Sequence, residues 1–159
     1  MSIPLLDGTG VVSMPHAPVE ERRRSAWSAD AAVPARVLLI DDDTDIHNLV
    51  AAMLRPLGVR IESAFDAETG IRHALDHAPE LILLDQELPD GTGVEVLKRL
   101  KSEPLLSGVP VVVVTGTERR DVLTACFAGG ASDYIRKPFF GAELRARVQS
   151  ALDRQRMLA

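Results

Sequence analysis

Asp41, Asp42, Asp85, Thr115 and Lys137 are the residues of this chain best suited to phosphoryl chemistry, and each closes an apolar run. Val37-Leu38-Leu39-Ile40 leads into Asp41-Asp42-Asp43, Leu81-Ile82-Leu83-Leu84 into Asp85, Val111-Val112-Val113-Val114 into Thr115, and the shorter Tyr134-Ile135-Arg136 into Lys137-Pro138. Short, β-branched, continuously apolar runs have the character of strands buried on both faces of a parallel sheet. Ligands of such sheets sit beyond the carboxyl ends of the strands. The pattern therefore predicts one crevice holding three acids, a hydroxyl and an amine. Three converging carboxylates repel and raise at least one pKa unless a divalent cation neutralises them. With no histidine or cysteine cluster beside them, an all-oxygen set suits Mg²⁺, or Mn²⁺ in its place, rather than zinc. A carboxylate can also attack phosphorus, with the amine and hydroxyl holding the transferring oxygens.

The elements that position these groups follow from periodicity. After the first strand, Ile46, Leu49, Val50, Met53, Leu54 and Leu57 recur at helical spacing until Gly58. Val59 and Ile61 mark a second strand, and Asp66 caps a helix carrying Ile71, Ala74 and Leu75. Glu87-Leu88-Pro89-Asp90-Gly91-Thr92-Gly93 is dense in turn residues, and Val94, Leu97 and Leu100 follow as a third helix. A fourth helix carries Val122, Leu123, Cys126 and Phe127 and ends at Gly129-Gly130. The last carries Leu144, Val148, Ala151 and Leu152. Five strands alternating with five helices predict a doubly wound α/β sheet.

The remaining composition bounds the function. The net charge of −5 argues against direct nucleic-acid binding. A lone cysteine excludes an internal disulfide and fits a reducing, cytoplasmic compartment. No apolar stretch reaches the roughly 18 residues a membrane span needs. Residues 1–34 carry four prolines, the run Arg22-Arg23-Arg24 and no sustained period, so a flexible extension with a short helix around Val19–Ala29 is expected. A twin-arginine export signal fails there, because Ser28 and Asp30 interrupt the apolar stretch it requires.

Competing readings of the acids can be weighed by spacing. Asp41, Asp43 and Asp45 fit the odd positions of a calcium loop, but Ile46 stands where that loop needs glycine and Ala52 where it needs glutamate. Asp41-x-Asp43 after an apolar strand resembles the nucleophile motif of haloacid-dehalogenase-like phosphatases, with Asp45 departing from that pattern; this is the enzyme alternative. Asp43 or Thr44 also serves as a helix cap. His73 and His77, four apart on a helix, lack a third ligand and are read as a solvated face. His47 is expected on exposed helix surface, and Cys126 as a small buried hydrophobe.

Taken together, Asp41-Asp42, Asp85 with Pro89 four residues on, Thr115-Gly116 and Tyr134-x-x-Lys137-Pro138-Phe139 resemble the receiver domain of two-component response regulators, the CheY-like family. The resemblance covers roughly Arg36 to Leu152, places a receiver domain at 35–153, and implies a flavodoxin-like sheet of strand order 2-1-3-4-5. It implies that Asp85 is the phospho-acceptor. Asp42, Asp85 and the Glu87 backbone carbonyl would bind Mg²⁺, with Asp41 helping through water. Lys137 would pair with the phosphoryl group, its bond to Pro138 cis, and Thr115 and Tyr134 would form the switch pair. Glu87 is an uncommon acidic choice there, and with Thr117 it flanks the path of attacking water. The implied protein is not an enzyme with a released product but a phospho-acceptor that assists its own phosphorylation and dephosphorylation. Its implied partners are a histidine kinase or histidine phosphotransfer protein, and then either a downstream protein or its own output domain, such as a diguanylate cyclase or phosphodiesterase. The surface expected to change comprises the fourth helix, fifth strand and fifth helix, which could also carry a homodimer. Leu144, Val148, Ala151 and Leu158, with Gln155 between, fit a coiled-coil seam, so 154–159 reads as the end of the last helix and a linker to an output domain.

Overall fold

The apolar runs form the centre of a five-stranded, all-parallel sheet. The computed structural model describes residues 33–158, so the expected extension over 1–34 lies almost wholly outside the described residues. The strands are β1 (Arg36–Ile40), β2 (Arg60–Ala64), β3 (Leu81–Leu84), β4 (Val111–Thr115) and β5 (Asp133–Arg136), in the spatial order β2-β1-β3-β4-β5. Four α-helices connect them, α1 (Thr44–Leu54), α2 (Ala67–His77), α3 (Gly93–Ser102) and α4 (Arg120–Ala128), and a fifth, α5 (Gly141–Leu158), follows β5. A small antiparallel hairpin, Glu87–Leu88 with Gly91–Thr92, lies between β3 and α3 where only a turn-rich loop was predicted.

Alternation of side chains across the sheet splits the core into two layers. Val37, Leu39, Leu81, Leu83, Val112, Val114 and Ile135 face α1 and α5. Leu38, Ile40, Ile82, Leu84 and Val111 face α2 and α3. Both faces of the central strands are thus dry, which is why their sequences show no period. Leu144, Val148, Ala151 and Leu152 of α5 belong to the first layer and are almost fully buried. The expected seam is therefore corrected: Leu144, Val148 and Ala151 are consumed by the domain's own core, and of the four only Leu158 is exposed. A stripe at this spacing packs equally well on a sheet or on a partner helix, and here the sheet takes it.

Local signals set the helix ends. Asp43, Asp66 and Thr92 cap α1, α2 and α3 by accepting the N–H groups of Asp45, Thr69 and Glu95. The α-helical part of α1 ends at Leu54, and a 3-10 turn over Arg55–Leu57 accommodates Pro56 before Gly58 closes it at φ +66°. α4 differs from these helices. Its N-cap, Arg119, makes no side-chain cap bond, and Cys126 is its sole fully buried residue. Among the described residues no helix is long and apolar enough to cross a membrane.

Candidate functional site

Register decides which residues meet. Ile40 pairs with Leu84 across β1 and β3, so the next residue of each strand, Asp41 and Asp85, emerges side by side. The Asp85 N–H donates to the Ile40 carbonyl at 2.9 Å, and Asp41 N–H to Ala64 at 3.1 Å. Asp42 follows at the rim. One carboxylate oxygen from each of Asp41, Asp42 and Asp85 lies within 4.8 Å of the others. Asp41 and Asp85 are buried, whereas Asp42 is exposed. The predicted convergence of strand-end acids is therefore present.

Lys137 reaches the same point from the end of β5. Its Nζ donates to Asp41 Oδ2 at 2.7 Å and stands 3.5 Å from Asp85 Oδ2. The bond from Lys137 to Pro138 is cis, and the Lys137 N–H donates to the Thr115 carbonyl at 2.9 Å. Burial raises the Asp85 pKa above its ordinary value; Lys137 opposes the shift and Asp41 adds to it, while the Glu87 N–H bonds the ionised form. Burial also acts to lower the Lys137 ammonium, but the two carboxylates outweigh it and hold the amine above its usual range. The pocket thus carries more negative than positive charge, in an oxygen-only donor set that suits a hard divalent cation.

Thr115 ends β4 fully buried, its Oγ1 accepting weakly from the Thr117 N–H at 3.4 Å. Tyr134 lies half-buried on β5, in register with Val113, and its hydroxyl donates to the Thr117 carbonyl. Burial pushes that phenol upward in pKa. Thr115 and Tyr134 are therefore joined through the segment after β4. Glu87 is exposed and meets the site through its backbone. Arg136, beside Lys137, pairs with Glu118 of the segment between β4 and α4.

Three residues that sequence reasoning passed over also shape the site. His47, expected at the surface, is only 5% exposed; its ring bonds the Asp41 carbonyl and Ser63, partners that its own sequence neighbourhood does not reveal. Asp90 accepts the N–H groups of Ala67 and Glu68 at 2.7 and 3.0 Å, tying the turn after Asp85 to the start of α2. Gly93 has no room for a side chain: a Cβ there would lie 2.8 Å from the Asp85 carbonyl oxygen and from Gln86 Cα. Its place in Gly91-Thr92-Gly93 was the available signal. Cys126 is buried as expected, its thiol pushed up by burial. His73 bonds Glu62 at 2.8 Å and lies beside His77, whose ring centroid is 4.6 Å away.

The phosphatase alternative needs Asp41 as nucleophile, yet both its oxygens are engaged, Oδ1 by the Asp43 N–H and Oδ2 by Lys137, and the residue is 1% exposed. Comparison with known proteins points to a different family. The chain is 34% identical over 119 residues to the phosphate regulon transcriptional regulatory protein PhoB of Escherichia coli (strain K12), covering 75% of this chain and 52% of that protein. It is 34% identical over 121 residues to the cell cycle transcriptional regulator CtrA of Caulobacter vibrioides, covering 76% of this chain and 52% of that one. The chain spans about half the length of these curated relatives. Among solved structures, the CheY-like response regulator receiver domain protein from Methanospirillum hungatei JF-1 matches with a TM-score of 0.75 and 29% identity, over 79% of this chain and 99% of that one. The family model of the response regulator receiver domain matches residues 37–149, and the chain belongs to that family of phosphorylation-activated signalling switches.

Proposed function

We propose that this chain accepts a phosphoryl group on Asp85 from a histidine kinase or histidine phosphotransfer protein in the cytoplasm. The observation that carries the reading is the meeting of Asp41, Asp42 and Asp85 within 4.8 Å, with Lys137 beside them, at the carboxyl ends of three strands. An Asp85 oxygen attacks phosphorus, the bond to the donor nitrogen breaks, and its electron pair returns to the imidazole. Lys137 then exchanges carboxylate oxygens for the phosphoryl group, and Thr115 supplies its hydroxyl. Asp42, Asp85 and the Glu87 carbonyl would hold Mg²⁺, with Asp41 behind them and Mn²⁺ as a substitute. When bound, the cation neutralises the converging carboxylates and the charge of the incoming phosphoryl group. The same groups assist hydrolysis of the aspartyl phosphate, with Glu87 and Thr117 flanking the path of water.

The output is a change of surface over α4, β5 and α5. Its support is the bond from Tyr134 to Thr117 and the light anchoring of α4. PhoB and CtrA are named as transcriptional regulators; the recipient here is a downstream protein or an output domain of the same polypeptide. Incubation with Mg²⁺ and acetyl phosphate, followed by mapping of the modified residue, tests the assignment. Modification is expected on Asp85 and abolished by Asp85→Asn. Label that survives Asp85→Asn but disappears with Asp41→Asn would overturn it.

A further inference from the structure

We propose that His47 is a positioning residue for the acid pair at the end of β1: it holds the peptide between Asp41 and Asp42 so that both carboxylates converge on Asp85. The proposal rests on reading those acids as cation ligands. His47 is the fourth residue of α1, and its backbone N–H donates to Asp43 at 3.3 Å. Its ring turns inward and uses both nitrogens. Nε2 lies 2.7 Å from the Asp41 carbonyl oxygen, and Nδ1 2.8 Å from Ser63 Oγ on β2. A carbonyl can only accept, so Nε2 carries the hydrogen. The ring also packs on Phe65 at a centroid distance of 4.3 Å. It is thus fixed from β1, from β2 and from the segment that follows β2.

The bonds around the acids show what this grip accomplishes. The peptide preceding Asp41 is held by its N–H on Ala64. The Asp41 side chain is held by the Asp43 N–H and by Lys137. The peptide that follows Asp41 sets the direction in which Asp42 leaves the strand, and its carbonyl rests on His47. Asp42 itself is exposed, so its carboxylate takes its aim from that peptide. A leucine would fill the same space beside Phe65 but would leave a buried carbonyl without its donor, freeing the peptide to turn toward water. A histidine bonded at both nitrogens is therefore matched to the carbonyl rather than to the volume.

Three full-length variants test this. His47→Leu removes the donor, His47→Gln offers an amide N–H at the Nε2 position, and His47→Asn offers one only at the nearer Nδ1 position. In EDTA, the Asp42 and Asp43 amides should exchange faster in the leucine and asparagine variants and near the wild-type rate in the glutamine variant. By calorimetry, Mg²⁺ affinity should fall about tenfold in the leucine and asparagine variants, the usual scale for groups that orient metal ligands, and glutamine should restore most of it. Wild-type Mg²⁺ affinity in the leucine variant, or equal losses in all three, would overturn the proposal. Should the leucine variant not fold, glutamine against asparagine decides, because equal affinity in that pair is incompatible with a role for the donor. Absence of Mg²⁺ binding by the wild-type protein would instead defeat the reading of the acids, while amide exchange in EDTA still reports on the clamp.

Discussion

Replacing Asp85 by asparagine removes one of three carboxylates that approach within 4.8 Å of one another, in a pocket where Lys137 offers one ammonium 3.5 Å away. At an effective dielectric constant of about 20, unit charges 3.5 Å apart attract by about 5 kcal/mol, and unit charges 4.8 Å apart repel by about 3.5 kcal/mol. Asp85 feels one such attraction, from Lys137, and one such repulsion at full strength, from the buried Asp41, so it is burial that tips the balance against its charge. Exposure of Asp42 screens the other repulsion, whereas burial of Asp85 adds a desolvation cost. Asparagine keeps the shape and can still accept the Glu87 N–H. Asp85→Asn is therefore expected to stabilise the metal-free protein at neutral pH by about 1–2 kcal/mol, in the range common for relief of a strained functional site.

Urea unfolding in EDTA is the assay, with the midpoint rising and the slope unchanged. The pH dependence has a definite sign. Asp85 has a folded pKa above its ordinary 3.8, so its penalty is absent below that ordinary value and is fully present once pH has risen through the folded value. The advantage of the variant should consequently vanish in acid and grow toward neutrality. Mg²⁺ at about 100 times its Kd should then stabilise the wild-type protein by about 2.7 kcal/mol, and the variant by less, so that the order narrows or inverts. A variant less stable than wild type in EDTA at neutral pH, or equal Mg²⁺ stabilisation of both, would refute the argument that the buried Asp85 charge is destabilising without a cation.

Two further substitutions probe the same pocket. Lys137→Met keeps the aliphatic stem but leaves Asp41 and Asp85 facing each other without a cation. Because Lys137 retains 21% of its side-chain exposure, the loss in EDTA should be about 2–4 kcal/mol, somewhat below that for a fully buried pair. Mg²⁺ should recover more stability in this variant than in wild type, and an unchanged urea midpoint in EDTA would count against the pairing. Gly93→Ala forces a methyl to within 2.8 Å of the Asp85 carbonyl and Gln86 Cα. It should cost about 1–3 kcal/mol, the usual scale of overpacking, and shift the Asp85–Glu87 amide resonances; a neutral urea midpoint would contradict the close approach.

Most of the site is legible in the sequence because parallel strands buried on both faces write themselves as unbroken apolar runs. Once β1, β3 and β4 are recognised, their terminal residues must share one edge of the sheet, and Asp41, Asp85 and Thr115 follow. The same signal is weaker in β2, Arg60–Ala64, whose edge position leaves it partly polar. What the sequence did not disclose depends on contacts between distant segments. The partner of His47 on β2 is 16 residues away, and that of Asp90 on α2 is 23 away. The α5 stripe misled for a related reason, since Leu144, Val148 and Ala151 have a spacing common to a sheet-facing helix and to a coiled-coil seam. Periodicity identifies an apolar face but not what covers it.

The unequal anchoring of the helices also constrains how a charge change at Asp85 can be transmitted. α1, α2, α3 and α5 each bury three or more residues, and the first three have side-chain caps. α4 has neither advantage: it buries Cys126 fully, lacks a cap bond, and leaves Phe127 about half exposed. Elements with few buried contacts open at the low end of the local stability range. The segment leading into α4 is held from two sides, by the Tyr134 hydroxyl on Thr117 and by Arg136 on Glu118. Both of these residues lie on β5, immediately before Lys137, whose ammonium joins Asp41 and stands beside Asp85. A phosphoryl group that draws Lys137 and Thr115 toward itself would thus act on the same short stretch that fixes Tyr134 and Arg136. Displacing α1, α2, α3 or α5 would open a core layer, whereas moving α4 disturbs one fully buried side chain, Cys126, and the half-buried Val122, Leu123 and Ala125. α4 is accordingly where a population shift of a few kcal/mol can be expressed without unfolding the domain.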